Sequence, residues 1–95
     1  MAIARIFDGE GWTLDQYDRL MEGLFQRLGV RDRPAPGVLY HWAAETGSGV
    51  RAVDVYDSRD AADRLAQDQI GPLVQELGMP MPAITEYPVH RHLPA

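Results

Sequence analysis

The chain is 95 residues long, has no cysteine, is 45% hydrophobic and 24% charged, and carries a formal net charge of −5. That length supports one domain with a single core over residues 1–95. The acidic balance argues against nucleic acid or an anionic membrane surface as the main partner, and the missing cysteines remove disulfides, thiolate chemistry and zinc ribbons. No apolar run approaches the roughly 18 residues of a membrane span, and the N-terminus is too short and too broken by charge for a signal peptide. A soluble, cytoplasmic protein with no membrane partner is the expectation.

Taken in chain order, Ala2 to Phe7 reads as a first strand, closed by the turn cluster Asp8-Gly9-Glu10-Gly11. Thr13 is a good N-cap, Gln16 three residues on completes a capping box, and Trp12 and Tyr17 occupy the two positions of a hydrophobic staple. From Leu14 to Leu28 apolar residues recur at three-to-four spacing and make one stripe. Gly29 stops this helix, and Arg31 to Gly37 is a loop that Pro34 and Pro36 keep extended.

Val38 to Ala44 and Val50 to Tyr56 are rich in Val, Tyr, Trp and Leu, and Gly47-Ser48 between them suits a two-residue type II′ turn. A hairpin of that register sets Leu39 opposite Tyr56, His41 opposite Asp54, Trp42 opposite Val53 and Ala43 opposite Ala52. One face then carries Leu39, His41, Ala43, Ala52, Asp54 and Tyr56. The other carries Val38, Tyr40, Trp42, Arg51, Val53 and Val55.

Ser58 caps a second helix whose Ala62, Leu65, Ala66, Gln69, Ile70, Leu73 and Leu77 fall on one side. Pro72 lacks a backbone donor and clashes with the carbonyl four residues back. A helix to about Ile70, a kink and a further short helix with Pro72 at its first position are therefore expected. Met79-Pro80-Met81-Pro82 is extended, and Ala83 to His90 is a last strand that Pro88 confines to a sheet edge.

This βαββαβ order predicts an α+β, ferredoxin-like fold: four antiparallel strands in the order 4-1-3-2 with both helices on one face. Two helices cover only one side, so Tyr40, Trp42, Val53 and Val55 are left on the other. A two-fold homodimer with sheets packed face to face is the expected resolution.

The segment Ala52-Val-Asp-Val-Tyr56, followed by Asp57-Ser58-Arg-Asp-Ala-Ala62, resembles the dimeric α+β barrel superfamily, and within it the antibiotic biosynthesis monooxygenase-like domains. The shared pattern is a strand ending in an acidic, an apolar and an aromatic residue, then a serine-capped acidic helix. The resemblance implies a pocket between sheet and helices and a repertoire that includes cofactor-free oxygenases on polyketide-like aromatics, haem-degrading enzymes and isomerases. Many such domains carry a histidine on the second helix; here Leu65 stands near that position and neither helix contains a histidine. The haem-degrading activity loses its basis with that residue.

His41 and Asp54 are the strongest candidate pair for chemistry. A carboxylate holding one imidazole nitrogen fixes the tautomer and leaves the other as a general base near neutral pH. Small neighbours Ala43 and Ala52 leave space for a hydrophobic small molecule, and Tyr56 shares the face as a donor to a substrate oxygen. The plain alternative is a buried polar pair that satisfies itself. Trp12 is placed to wall the pocket, and Gln69 and Asp68 sit beside the Gly71-Pro72 kink. Met79 and Met81 are placed to line an apolar entrance. Arg5 is expected to pair with Asp54 or Glu86. Glu86, His90 and His92 share a face only if the last strand continues past Pro88, and no metal site is assigned to them. No glycine-rich phosphate loop is present, and no cofactor is expected. The two readings are a small-molecule enzyme, as a cofactor-independent monooxygenase or an isomerase or cyclase, and a non-catalytic binding or accessory domain.

Overall fold

A computed structural model describes residues 1–31 and 33–94. Asp32, in the expected loop, and Ala95, in the tail, lie outside the described residues. The elements are β1 (Ile3–Glu10), α1 (Leu14–Leu28), β2 (Val38–Glu45), β3 (Gly49–Tyr56), α2 (Arg59–Leu65), a π-helical turn (Ala66–Ile70), α3 (Gly71–Glu76) and β4 (Ala83–Pro88). The strands form one antiparallel sheet in the order β2-β3-β1-β4, with the proline-bearing strand at an edge as expected.

β1 runs longer than the sequence suggests. Asp8, Gly9 and Glu10, read as a turn, pair with Arg51, Val50 and Gly49 of β3. The cross-strand ion pair Arg51 Nε–Asp8 Oδ1 (2.6 Å) ties this extension to its neighbour. Gly9 is needed here for space: a Cβ at that position would lie 2.2 Å from the Trp12 ring. The strand therefore ends against an indole that folds back over it.

α1 begins as its capping box predicts. The Thr13 hydroxyl accepts from the Gln16 backbone, the Gln16 side chain accepts from the Thr13 backbone, and Gly29 closes the helix in the left-handed conformation (φ 67°). Leu20 and Leu24 from its stripe are buried against the sheet.

The second helical segment departs from expectation. Pro72 does not break it; the turn from Ala66 to Ile70 widens to π geometry and the helix runs on to Glu76. A π turn relieves the proline because it loosens the packing of carbonyls below the ring and takes up one extra residue. The Gly71 N–H donates to Ala66 O, five residues back. That extra residue shifts the downstream phase, so Leu73 and Val74 are buried while Leu77, expected inside, is 36% exposed.

The hairpin keeps most of its expected register: His41 opposes Asp54, Trp42 opposes Val53 and Ala43 opposes Ala52. At its open end a bulge intervenes, so Val38 rather than Leu39 faces Tyr56. Val38 packs on the core and Leu39 is exposed, the reverse of the alternation read from sequence. The tip also differs. Positive φ occurs at Gly11, Gly29, Gly37 and Gly78, so Gly47 does not adopt the type II′ conformation. Instead the Gly49 N–H donates to the Thr46 hydroxyl (3.0 Å), while the Thr46 N–H donates to Gly49 O (2.8 Å).

The core lies between sheet and helices, centred on Tyr56, Ala62 and Val74, which have no solvent exposure. On the opposite face, the pairs Ala4–Val55, Ile6–Val53, Tyr40–Val55, Trp42–Val53 and Ala4–Tyr87 present an apolar surface. Trp42 is 51% and Tyr87 54% exposed there. The expected strand to His90 stops at Pro88, and the tail crosses this face instead. The Val89 N–H donates to Ala2 O (3.0 Å), His92 meets the Tyr40 ring edge-on (74°, centroids 5.7 Å), and the Tyr40 hydroxyl donates to Pro94 O (2.8 Å). β4 and β2 are opposite edges, so the tail straps the sheet from one side to the other.

Candidate functional site

Strand alternation puts His41 of β2 and Asp54 of β3 side by side under α1, and their side chains meet: His41 Nδ1 lies 2.5 Å from Asp54 Oδ1. Asp54 is only 5% exposed, the one buried charged residue among those described. Its second oxygen accepts from the Tyr56 hydroxyl (2.8 Å). The other imidazole nitrogen, Nε2, is met by the Tyr17 hydroxyl from α1, with the two rings in nearly parallel planes (1°). An ionised Asp54 can only accept, so His41 Nδ1 carries the proton and donates to it, and Nε2 accepts from Tyr17. The result is one directed chain, Tyr17 to His41 to Asp54, with Tyr56 donating to the carboxylate from behind.

Both phenols are held in the protonated form. Burial, reinforced by the Asp54 charge, pushes Tyr17 up to about 12. The same causes, with the direct hydrogen bond to Asp54, push Tyr56 higher still. They are therefore donors rather than bases at neutral pH.

These groups open onto a cavity of about 270 Å³ between α1, the sheet and the second helical segment. That is at the small end of ligand pockets, which run from about 300 Å³ upward. Its walls are mainly the α1 stripe (Leu20, Met21, Leu24, Phe25) with Phe7 and Trp12, and its only titratable side chains are Tyr17, His41, Asp54 and Arg33.

The structure distributes the sequence-derived site residues unevenly. His41, Asp54, Trp12 and Ala52 line this cavity. Tyr56 does not; it is fully buried with its hydroxyl committed to Asp54. Ala43 packs beside the core without forming the wall. Gln69 and Asp68 line a separate cavity of about 380 Å³ with Gly37, Asp57 and Arg64. Met79 is buried and Met81 is exposed, neither lining the main cavity. Trp12 Nε1 donates to Pro80 O (2.7 Å), which pins the methionine loop behind the indole. Arg5 pairs with Glu86 (2.9 Å) and also with Asp63 (2.6 Å), leaving Asp54 to His41. Glu86 is further held by Arg59 (2.7 Å), and His92 is engaged with Tyr40 on the other face. Among the described residues no group of three His, Asp or Glu is placed to hold a metal.

Tyr17 is the functional residue that sequence reasoning missed. Its position in the apolar stripe disguised it, although it is the stripe's only member with a polar group.

No family model and no curated protein matches the sequence. Solved structures do. Rv0793 from Mycobacterium tuberculosis superposes with a TM-score of 0.65 at 16% identity, covering 98% of this chain and 99% of that one. SnoaB, a cofactor-independent oxygenase from Streptomyces nogalater, gives 0.59 at 17% identity, covering 99% and 96%. A candidate antibiotic biosynthesis monooxygenase from Chloroflexus aurantiacus gives 0.60 at 18% identity, covering 97% of each chain. At these identities the likeness is one of architecture. Among the described residues no helix is long and apolar enough to cross a membrane. The chain has the fold of the antibiotic biosynthesis monooxygenase-like proteins, within the dimeric α+β barrel superfamily.

Proposed function

We propose that this protein is a cofactor-independent enzyme acting on a small, flat, apolar molecule that carries an acidic O–H or C–H group. The observation that carries the reading is a directed hydrogen-bond chain ending on the wall of an otherwise apolar cavity. His41 Nε2 is the base, Asp54 orients the ring and stabilises the imidazolium that forms, and Tyr56 fixes Asp54. Tyr17 turns its hydroxyl from Nε2 to the ligand oxygen as the ligand enters, and donates to the oxyanion. A phenol held protonated by its surroundings suits that task.

The shared fold with SnoaB supports an oxygenase as the specific reaction, by analogy alone. The deprotonated substrate itself would reduce dioxygen, an activated methylene becoming a carbonyl with release of one water. The second reading, a binding domain without turnover, is favoured by one observation: every member of the chain already has a partner, Nε2 included. In either case the apolar open face supports a homodimer packed through it.

A hydroxyarene whose absorbance reports its ionisation separates the readings. Bound to the protein at neutral pH it should show the phenolate spectrum, and bound to His41→Gln the neutral one. Oxygen uptake with an enolisable polycyclic ketone should fall at least about 100-fold in His41→Gln. A neutral spectrum with the native protein would leave the binding domain as the answer.

A further inference from the structure

Resting on that reading, we infer that the natural ligand is amphipathic, with an anionic group, most simply a carboxylate, at the end of the molecule distant from its reacting oxygen. The residue that would take this group is Arg33. The cavity extends along α1 from Tyr17 to Leu28, about 16 Å at the rise of an α-helix. The hydrogen-bonded chain occupies the Tyr17 end. Arg33, with Pro34 and Ala35 from the loop between α1 and β2, closes the end where α1 finishes.

Two features distinguish this arginine. It is the only cation on the cavity wall, where the remaining titratable groups are already hydrogen-bonded to one another. It also differs from most arginines of the chain. Arg5, Arg19, Arg27, Arg31, Arg51 and Arg59 each form an ion pair with an acidic side chain. Arg33 has no ion pair or hydrogen bond among the described residues. In a protein of net charge −5 an unpaired guanidinium at the rim of an apolar slot is a local reversal of sign. Screening over a Debye length of about 8 Å lets that reversal, rather than the distant acids, govern what docks there. A planar guanidinium matches a carboxylate with two parallel N–H···O bonds, and the apolar walls between the two ends would bury a ring system.

The test is a matched pair of probes: a fluorescent hydroxynaphthalene, and the same molecule bearing a carboxylate on the distal ring. Both are titrated into the native protein and into Arg33→Gln. The native protein should bind the carboxylated probe about fivefold more tightly, and that preference should shrink as salt is raised. Arg33→Gln should bind both equally while keeping native affinity for the uncharged probe, which also shows that the variant is folded. Equal binding of the two probes by the native protein overturns this inference and leaves the proposed cavity chemistry standing. Binding of neither overturns both.

Discussion

The two faces of the sheet treat aromatic and polar groups in opposite ways. Under the helices Tyr56 is completely enclosed, and its hydroxyl, the Asp54 carboxylate, both His41 nitrogens and the Tyr17 hydroxyl saturate one another. Among the described residues no buried side-chain nitrogen or oxygen lacks a partner. On the far face Tyr40, Trp42 and Tyr87 leave much of their rings to solvent, and the one polar engagement, Tyr40 with Pro94 and His92, comes from a tail laid over the surface. The covered face holds its polar groups by mutual commitment, where losing one orphans its neighbours. The open face holds its groups independently, and its apolar area is unspent.

That contrast can be broken by substitution. Asp54→Ala should be the most damaging change, costing about 3 kcal/mol in urea unfolding, because two donors lose their acceptor in a buried site. A cost below about 1 kcal/mol would mean the chain is not mutually dependent.

Alkaline pH sharpens the same point. Tyr17 has a folded pKa of about 12 against a model value of 10.0. Its contribution to stability is complete below pH 10 and is lost as pH rises toward 12. Tyr17→Phe should therefore flatten the alkaline fall in stability over that window, which thermal melts at successive pH values would register. An unchanged fall in the variant would contradict the assignment.

The smallest effect on the folded chain should come from Trp42→Ser, within about 0.5 kcal/mol at low protein concentration. Its effect should appear instead in association: sedimentation at increasing concentration should show the native chain dimerising and the variant remaining monomeric. Identical association of the two would remove the open face as the interface.

The asymmetry also explains what could be read from residues alone. The meeting of His41 and Asp54 was legible because strand alternation and a two-residue loop fix which side chains share a face. Helix starts at Thr13 and Ser58 were legible because their signals are local. The bulge at Leu39 was not, since Val38 and Leu39 are equally apolar and only packing beside Tyr56 chooses between them. Tyr17 escaped because its partner lies 24 residues away on another element. Pro72 announced a disturbance, but whether the backbone kinks or widens depends on what the following turn packs against.

That widened turn constrains the length of the chain. Between Ser58 and Gly78 the helical segment holds one residue more than regular winding would use. Deleting any of the residues from Ala66 to Ile70 would restore ordinary winding and swing everything after it by about 100°. Val74 would leave the interior, and the Pro80 carbonyl would be carried away from the indole that anchors it. The outer side of this segment can therefore vary freely in residue type, while its residue count is fixed.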